Sequence, residues 1–270
     1  WYIGGLNTNE VFEGKITNAG YKKNAKATHI HKVGTGDWRL TNEKLTNVGN
    51  YYAEEGSLTI MSTVTTNQSV FVKEGASLKG NPIFTAAATV DVNGILEPGD
   101  STLNNSIGTM EFQAADVNLN ESSVLRIGLG QGRSDQLVYA GILTIDPGAT
   151  IEFFVEENTV KAGDVFRVLV PYKDNDNAHV EGFECKIVCQ DGLEIDYANL
   201  LNSPMYEDTP EGRALCGTIT VISNTAQGIY GSEPAKVKEV TPANGEYVGT
   251  SGSIVLTYDK DVLRGTGDIT

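Results

Sequence analysis

Three glycines, Gly56, Gly75 and Gly94, recur at intervals of 19 residues, each inside a similar phrase: AEEGSLTI, VKEGASLKG and DVNGILEPG. A short alternating stretch precedes the glycine, such as Val70-Phe71-Val72 or Val90-Asp91-Val92, and another follows it, such as Leu58-Thr59-Ile60. Asn and Thr fill the spaces between, and YAGILTIDPGATIEFF returns to the theme at Gly141 and Gly148. Period-2 alternation punctuated by glycine is the pattern of short strands and turns. A unit of about 19 residues is too short for a helix-containing repeat and suits one coil of a parallel β-helix. The fold expected is therefore all-β: a right-handed parallel β-helix (solenoid) with a C-terminal partial β-sandwich. At about 4.8 Å between strands, about ten coils make a rod about 50 Å long. The rival is an antiparallel sandwich, which also turns every 8–12 residues or so.

The repeat pattern weakens after residue 160. Ala162–Val170 (AGDVFRVLV) reads as one strand. The polar loop KDNDN, the strand CKIVC, a short helix near Asp196–Leu201 and a last strand at 216–222 follow it. This irregular part, from about 161, reads as a cap that closes the solenoid and blocks edge pairing. Gly231-Ser232-Glu233-Pro234 is linker-like. The strand pattern then restarts at Val237–Val240 and Ile254–Tyr258, with a Pro242 turn between. The organisation expected is a β-helix over 1–230 and the beginning of a separate, truncated β-sandwich over 234–270, within a longer chain.

The chain has 35 acidic and 20 basic residues, a net charge of −15. Such a surface repels nucleic acid and anionic membranes. No run of 18 apolar residues offers membrane insertion. The three cysteines, Cys185, Cys189 and Cys216, are too few for a disulfide framework. Cys185 and Cys189 lie about 13 Å apart along one strand, so they cannot bond to each other. Either has Cys216 as a cross-strand candidate, and three buried thiols is the reading favoured. With His29, His31 and His179 scattered, no zinc-site spacing exists.

No catalytic constellation stands out. Thirty-five acids offer many carboxylate pairs for glycoside hydrolysis, none singled out by context. For a lyase, Lys73, Lys79 and Arg126 are the available bases, and Asp91, Glu97 and Asp100 are acids that a corner of the solenoid would gather. Asp174, Asn175, Asp176 and Asn177 form a hard-oxygen loop without the glycine and distal Glu of an EF-hand, so a solvated loop is favoured over calcium. Gly128, Gly130 and Gly132 lack the Gly-Lys-Ser/Thr ending of a phosphate loop, which leaves a tight turn. Ser122, Ser134 and His29 are too far apart for a triad argument. Trp1, Tyr2, Trp38, Tyr51 and Tyr52 are the candidates for a sugar-stacking surface, although core packing accounts for Trp38 more simply. The sequence therefore assigns no catalytic, cofactor-binding or metal-binding residue and implies no cofactor.

Two stretches resemble the passenger-associated, autotransporter-type β-strand repeats of bacterial surface proteins. FEGKITN at 12–18 leads to HKVGTGDWRLTN at 31–42, matching through Lys32, Val33, Gly34, Thr35, Gly36, Trp38 and Leu40. Residues 93–145 match through the Pro98-Gly99 turn, Gly108-Thr109, Ser134-Asp135 and Gly141. Between 43 and 92 the usual Tyr-Thr-Gly-Thr phrase is reduced to Asn50-Tyr51-Tyr52. The tail, with Thr241-Pro242-Ala243-Asn244-Gly245 before a strand ending at Tyr258-Asp259, looks like the start of a bacterial immunoglobulin-like domain. These resemblances imply a secreted or cell-surface bacterial protein. In it, this chain would be a non-catalytic stalk or adhesin module joined to other domains of a longer chain. The alternative they imply is an accessory module of a pectate-lyase-like enzyme that binds polysaccharide or a cell-surface glycan.

Overall fold

The computed structural model describes residues 1–18, 27–46, 49–102, 107–130, 132–156, 158–174, 177–182, 184–201, 216–226, 228, 237–241 and 255–258. The chain divides into two compact units, Trp1–Tyr230 and Gly231–Thr270. The first is a parallel β-helix. Sheet one stacks eight strands in parallel: Tyr2–Ile3, Ile30–Lys32, Tyr51–Ala53, Val70–Val72, Thr89–Val92, Asp116–Leu119, Ile142–Ile145 and His179–Glu181. Sheet two stacks Glu10–Phe12, Asp37–Leu40, Gly56–Ile60, Ala76–Gly80, Ile95–Pro98, Val124–Gly130, Thr150–Val155 and Lys186–Cys189. Sheet three runs from Lys44–Leu45 through Thr63–Val64, Ile83–Phe84, Thr109–Phe112 and Gln136–Tyr139 to Leu169–Pro171. Each coil visits the sheets in that order, and the described residues contain no α-helix.

Period-2 alternation turns one residue set inward, and the parallel register stacks like on like. Ile30, Tyr51, Val70, Val90, Val117 and Leu143 lie above one another in sheet one. Leu58, Leu78, Leu96, Leu125 and Ile151 do so in sheet two, all fully buried. In sheet three Phe84 stacks on Phe112 at 5.1 Å, and Tyr51 meets the edge of Phe84 at 5.9 Å. These columns form one continuous core down the axis.

The glycine spacing marks the coil length. Gly56 pairs with Ala76, one residue past Gly75, and Ser77 pairs with Ile95, one past Gly94. Gly56 and Gly75 adopt φ of 61° and 78°, which a side chain at either corner would strain. Beyond Gly99 the coils lengthen: Leu96 pairs with Leu125, and Ile151 with Ile187. Eight strands in the longest regular stack, not ten, span about 34 Å at about 4.8 Å each. The extra residues go into excursions rather than further coils.

Three local expectations need correction. Ala162–Val170 is two strands: Val168 and Leu169 are both buried, which breaks period-2 alternation, and the chain changes sheets there. Val165–Arg167 joins Thr218–Asn224 and Leu193–Asp196 in an antiparallel sheet, whereas Leu169–Pro171 extends sheet three. The helix expected near Asp196–Leu201 is instead a strand end and two turns. The Asp196 carboxylate accepts from the Ala198 amide at 2.9 Å, and the Tyr197 carbonyl accepts from Leu200. Finally, all three thiols are free, and only Cys216 is fully buried; Cys185 and Cys189 are half-buried. Burial raises the pKa of both half-buried thiols.

In the second unit, Val237–Thr241 pairs antiparallel with Val255–Tyr258. The expected linker at 231–234, the Pro242–Gly245 turn, Ile254 and Asp259 lie outside the described residues.

Candidate functional site

The outward columns of sheets one and two carry the chemistry of this surface. On sheet one, register places Tyr2, His31, Tyr52 and Phe71 in a line. Their rings stack at centroid separations of 4.5, 4.3 and 5.0 Å, with interplanar angles of 18° or less. His31 Nδ1 lies 2.5 Å from Glu54, whose other oxygen accepts from Lys73 at 2.7 Å. The Lys73 hydrogen bond, then that of His31, holds the Glu54 carboxyl below its usual pKa. Past Phe71 the column turns polar, with Asn118 donating to Asp91 at 2.9 Å.

On sheet two the corresponding column reads Val11, Arg39, Thr59, Lys79, Glu97, Arg126, Glu152 and Val188. The buried Glu97 carboxylate takes Arg126 at 2.8 Å, Lys79 at 3.6 Å and the Ser101 amide at 2.7 Å. Arg126 also reaches Glu152 at 3.2 Å and lies over the Phe154 ring. Gly80 and Gly99 exchange backbone hydrogen bonds in an antiparallel bridge, which turns the chain back across this column. The returning strap carries Asp100 to Arg39 at 2.6 Å, while Arg39 also holds Asp37. Lys79 sits under the strap at a place where Gly80 allows close approach: a side chain there would strike the Ile60 carbonyl.

Lys32, Asp135 and Glu156 are buried as well. The Lys32 ammonium donates to the carbonyls of Val33, Gly34 and Glu55 at 3.0, 2.6 and 2.9 Å, and desolvation lowers its pKa. Asp135 accepts from the amides of Gly108 and Gly128, both at 2.7 Å. Burial drives its pKa well above normal, and the Glu156 and Glu97 charges add to the shift. A side chain at Gly128 would press on the Asp135 and Glu156 carboxyl groups, which would have to shift.

The candidate residues separate accordingly. Glu97 and Asp100 both pair with cations of the sheet-two column, Glu97 with Arg126 and Lys79 and Asp100 with Arg39, but Asp91 lies on sheet one and does not join them. Lys79 and Arg126 share Glu97, whereas Lys73 binds Glu54 on the other face. The serines and His29 do not converge: Ser122 donates to the Asn93 carbonyl, Ser134 to the Arg167 carbonyl, and His29 accepts from the Asn50 amide. Gly128 and Gly130 end a strand and Gly132 turns a hairpin, with φ of 65°, into Arg133–Ser134. In the hard-oxygen loop, Asn175 and Asp176 lie outside the described residues, and the Asn177 carbonyl faces His179 Nδ1 at 2.9 Å. Among the described residues no three His, Cys, Asp or Glu side chains form a metal-binding group.

The sugar-stacking candidates are mostly spent on packing. Tyr51 is buried, both faces of Tyr52 are covered by His31 and Phe71, and Trp38 stacks on Phe12 at 5.6 Å. Trp1 and Tyr2 remain exposed. A hollow of about 230 Å³ opens beside the strap, lined by Asn9, Glu10, Val11, Arg39, Lys79 and Thr102 among others. Another, of about 300 Å³, lies by the hairpin between Thr109, Arg133, Ser134, Gln136 and Phe166.

Sequence reasoning missed the aromatic ladder and the buried Lys32 and Asp135. The ladder's signal was present: IHK, YYA and VFV each place a ring at the middle of a strand that precedes a glycine turn. No protein-family model matches the chain, and no curated protein matches it.

Proposed function

We propose that this chain is a non-catalytic stalk module of an exported bacterial surface protein. The observation that carries this reading is the use of the outward columns of sheets one and two. Their rings and charges bind coil to coil, and among the described residues no base, nucleophile and acid converge on an open cleft. Contacts of this kind stiffen a rod along its axis. The resemblance to autotransporter-type repeats fits the same reading. Each of its phrases places a buried charge: KVGTG folds its carbonyls around Lys32, EPGD sets Glu97 and Asp100, and SDQ sets Asp135. The antiparallel pair Val237–Thr241 and Val255–Tyr258 supports a following immunoglobulin-like spacer. Deleting residues 1–230 from the protein as the bacterium makes it is expected to abolish surface display or attachment. Loss of an enzymatic activity with attachment intact would overturn the proposal.

A second reading, an accessory glycan-binding module, is favoured by the hollow beside the strap, with Asn9, Arg39 and Lys79 in its wall, and by the exposed rings of Trp1 and Tyr2. Hydrogen-bonding groups in a hollow and exposed aromatic rings are both features that suit a saccharide. A glycan array probed with the whole chain tests it. Absence of retention on every polysaccharide, with and without Ca²⁺, sinks the binding claim.

A further inference from the structure

Midway along the β-helix the chain turns from sheet one to sheet two through only Asn93 and Gly94, which join Val92 to Ile95. In the preceding coil residues 73–76 join the register partners Val72 and Ser77, and in the following coil residues 120–123 join Leu119 and Val124. The short path carries Gly94 against the longer preceding corner, where a side chain would strike the backbone carbonyl oxygens of Lys73 and Ala76. Packing therefore selects glycine at this position. Asn93 before it is exposed. Its amide donates to the Val72 carbonyl at 2.7 Å, and its carbonyl accepts from the Ser122 hydroxyl at 2.8 Å. Asn7, Asn9, Asn42, Asn50 and Asn118 all use their carboxamides in hydrogen bonds. Among the described residues, the Asn93 carboxamide and the Gly94 N–H have no such partner.

We propose that Asn93 is a self-modification site, which the folded chain converts without an enzyme to aspartate and isoaspartate. Asparagine is among the chemically labile residues of proteins. The Gly94 nitrogen, once deprotonated, attacks Asn93 Cγ. The new N–Cγ bond forms as the Cγ–Nδ2 bond breaks, and the carboxamide nitrogen takes up a proton and leaves as ammonia. Water then opens the cyclic imide. Opening at Cγ gives aspartate; opening at the Asn93 main-chain carbonyl gives isoaspartate, whose backbone runs through Cβ and Cγ. Water is the only co-reactant, and nothing is oxidised or reduced. Three features of the corner favour the attack. Gly94 has no side chain to shield its nitrogen. The Asn93 carboxamide turns towards that nitrogen without breaking a hydrogen bond. The negative charge of the deprotonated amide rests largely on the Asn93 carbonyl oxygen, to which Ser122 already donates, in the manner of an oxyanion donor. The fold also tolerates the products. Aspartate replaces a side chain that holds nothing, and isoaspartate adds one methylene to a corner shorter than those of the coils on either side. Each converted chain gains one negative charge beyond its −15, on an exposed corner.

Incubation of the whole chain at neutral pH, with peptide mapping by mass spectrometry at intervals and chromatographic separation of the isomers, tests this. The expected result is progressive conversion at Asn93 to both products. Asn93→Gln should stop it, because the longer side chain closes a less favourable ring. Ser122→Ala should slow it about tenfold, less than the loss of an enzyme's oxyanion donor because the corner is exposed. Ser122→Thr keeps the hydroxyl and should restore the rate. The chain's other Asn-Gly pair, Asn244-Gly245, lies outside the described residues and serves as the reference: its rate should be the same in every variant. Circular dichroism and melting confirm that each variant is folded, and Asn93→Asp should melt with the wild type. An Asn93 that stays an amide while a free peptide of residues 89–98 converts overturns the proposal. Equal rates at Asn93 in wild type and Ser122→Ala overturn the part given to the hydroxyl, as does equal slowing at Asn93 and Asn244.

Discussion

Along sheet one, Tyr2, His31, Tyr52 and Phe71 are joined by ring stacking; along sheet two, Arg39, Lys79, Glu97, Arg126 and Glu152 are joined by ion pairs under a strap. Both columns stand on parallel strands in register. The difference lies in what covers them. Among the described residues no excursion folds over sheet one's ladder, and flat rings protect one another without help. Sheet two's column alternates in sign from Lys79 to Glu152, and the chain after Pro98 folds back on it and buries Glu97 and Asp100. In-register stacking thus tolerates two chemistries. Rings are self-sufficient, whereas charges need a cover and then depend on complete pairing.

The largest effects are expected where neither column is involved. Phe84→Ala opens the core that both columns surround and should cost about 4 kcal/mol in denaturant unfolding. A much smaller loss would show that the outer columns, not the core, hold the coils. Glu97→Ala leaves Arg126 and Lys79 without their shared partner beneath the strap and should cost about 3 kcal/mol. Tyr52→Ala removes the central ring of an exposed ladder and should cost about 1 kcal/mol. Equal losses at Glu97 and Tyr52 would erase the distinction between covered and self-sufficient columns.

The two sheets also respond oppositely to pH. Glu54, on sheet one, has a lowered pKa in the folded state, so its contribution is present above the ordinary carboxylate range and is lost as pH falls through the folded value. Asp135, beside sheet two, has a raised pKa, so its contribution is complete below the ordinary value and is lost as pH rises through the folded one. Glu54→Gln should flatten the acid side of the stability profile, and Asp135→Asn the side above the ordinary Asp pKa. Thermal melts across pH 3–8, a window chosen to bracket reference carboxylate values of about 4, separate the two. Identical changes in both variants would contradict the assignment. The smallest effect is salt. At about 0.5 M NaCl the difference between wild type and Lys79→Met should shrink, while that between wild type and Tyr52→Ala should persist.

Much of this architecture was legible in the residues. The 19-residue glycine interval, with Leu58, Leu78 and Leu96 at like positions, specified coil length and the inward face. Period-2 alternation cannot bury a strand on one side without stacking it on another. Tyr2, His31, Tyr52 and Phe71 were equally visible as residues, but their alignment depends on register. The intervals between them vary from 29 to 19 residues because the intervening corners differ in length. What no local pattern encodes is the direction of the excursions. Gly80 meeting Gly99, Asp100 reaching Arg39 and Asp135 accepting from Gly108 are contacts between different coils, decided only once the solenoid has formed. Sequence alone determined that the chain is a stack of short strands, because hydrophobic periodicity is local. Tertiary structure decided which charges are buried and which faces stay open, because desolvation depends on what folds across a residue from elsewhere in the chain.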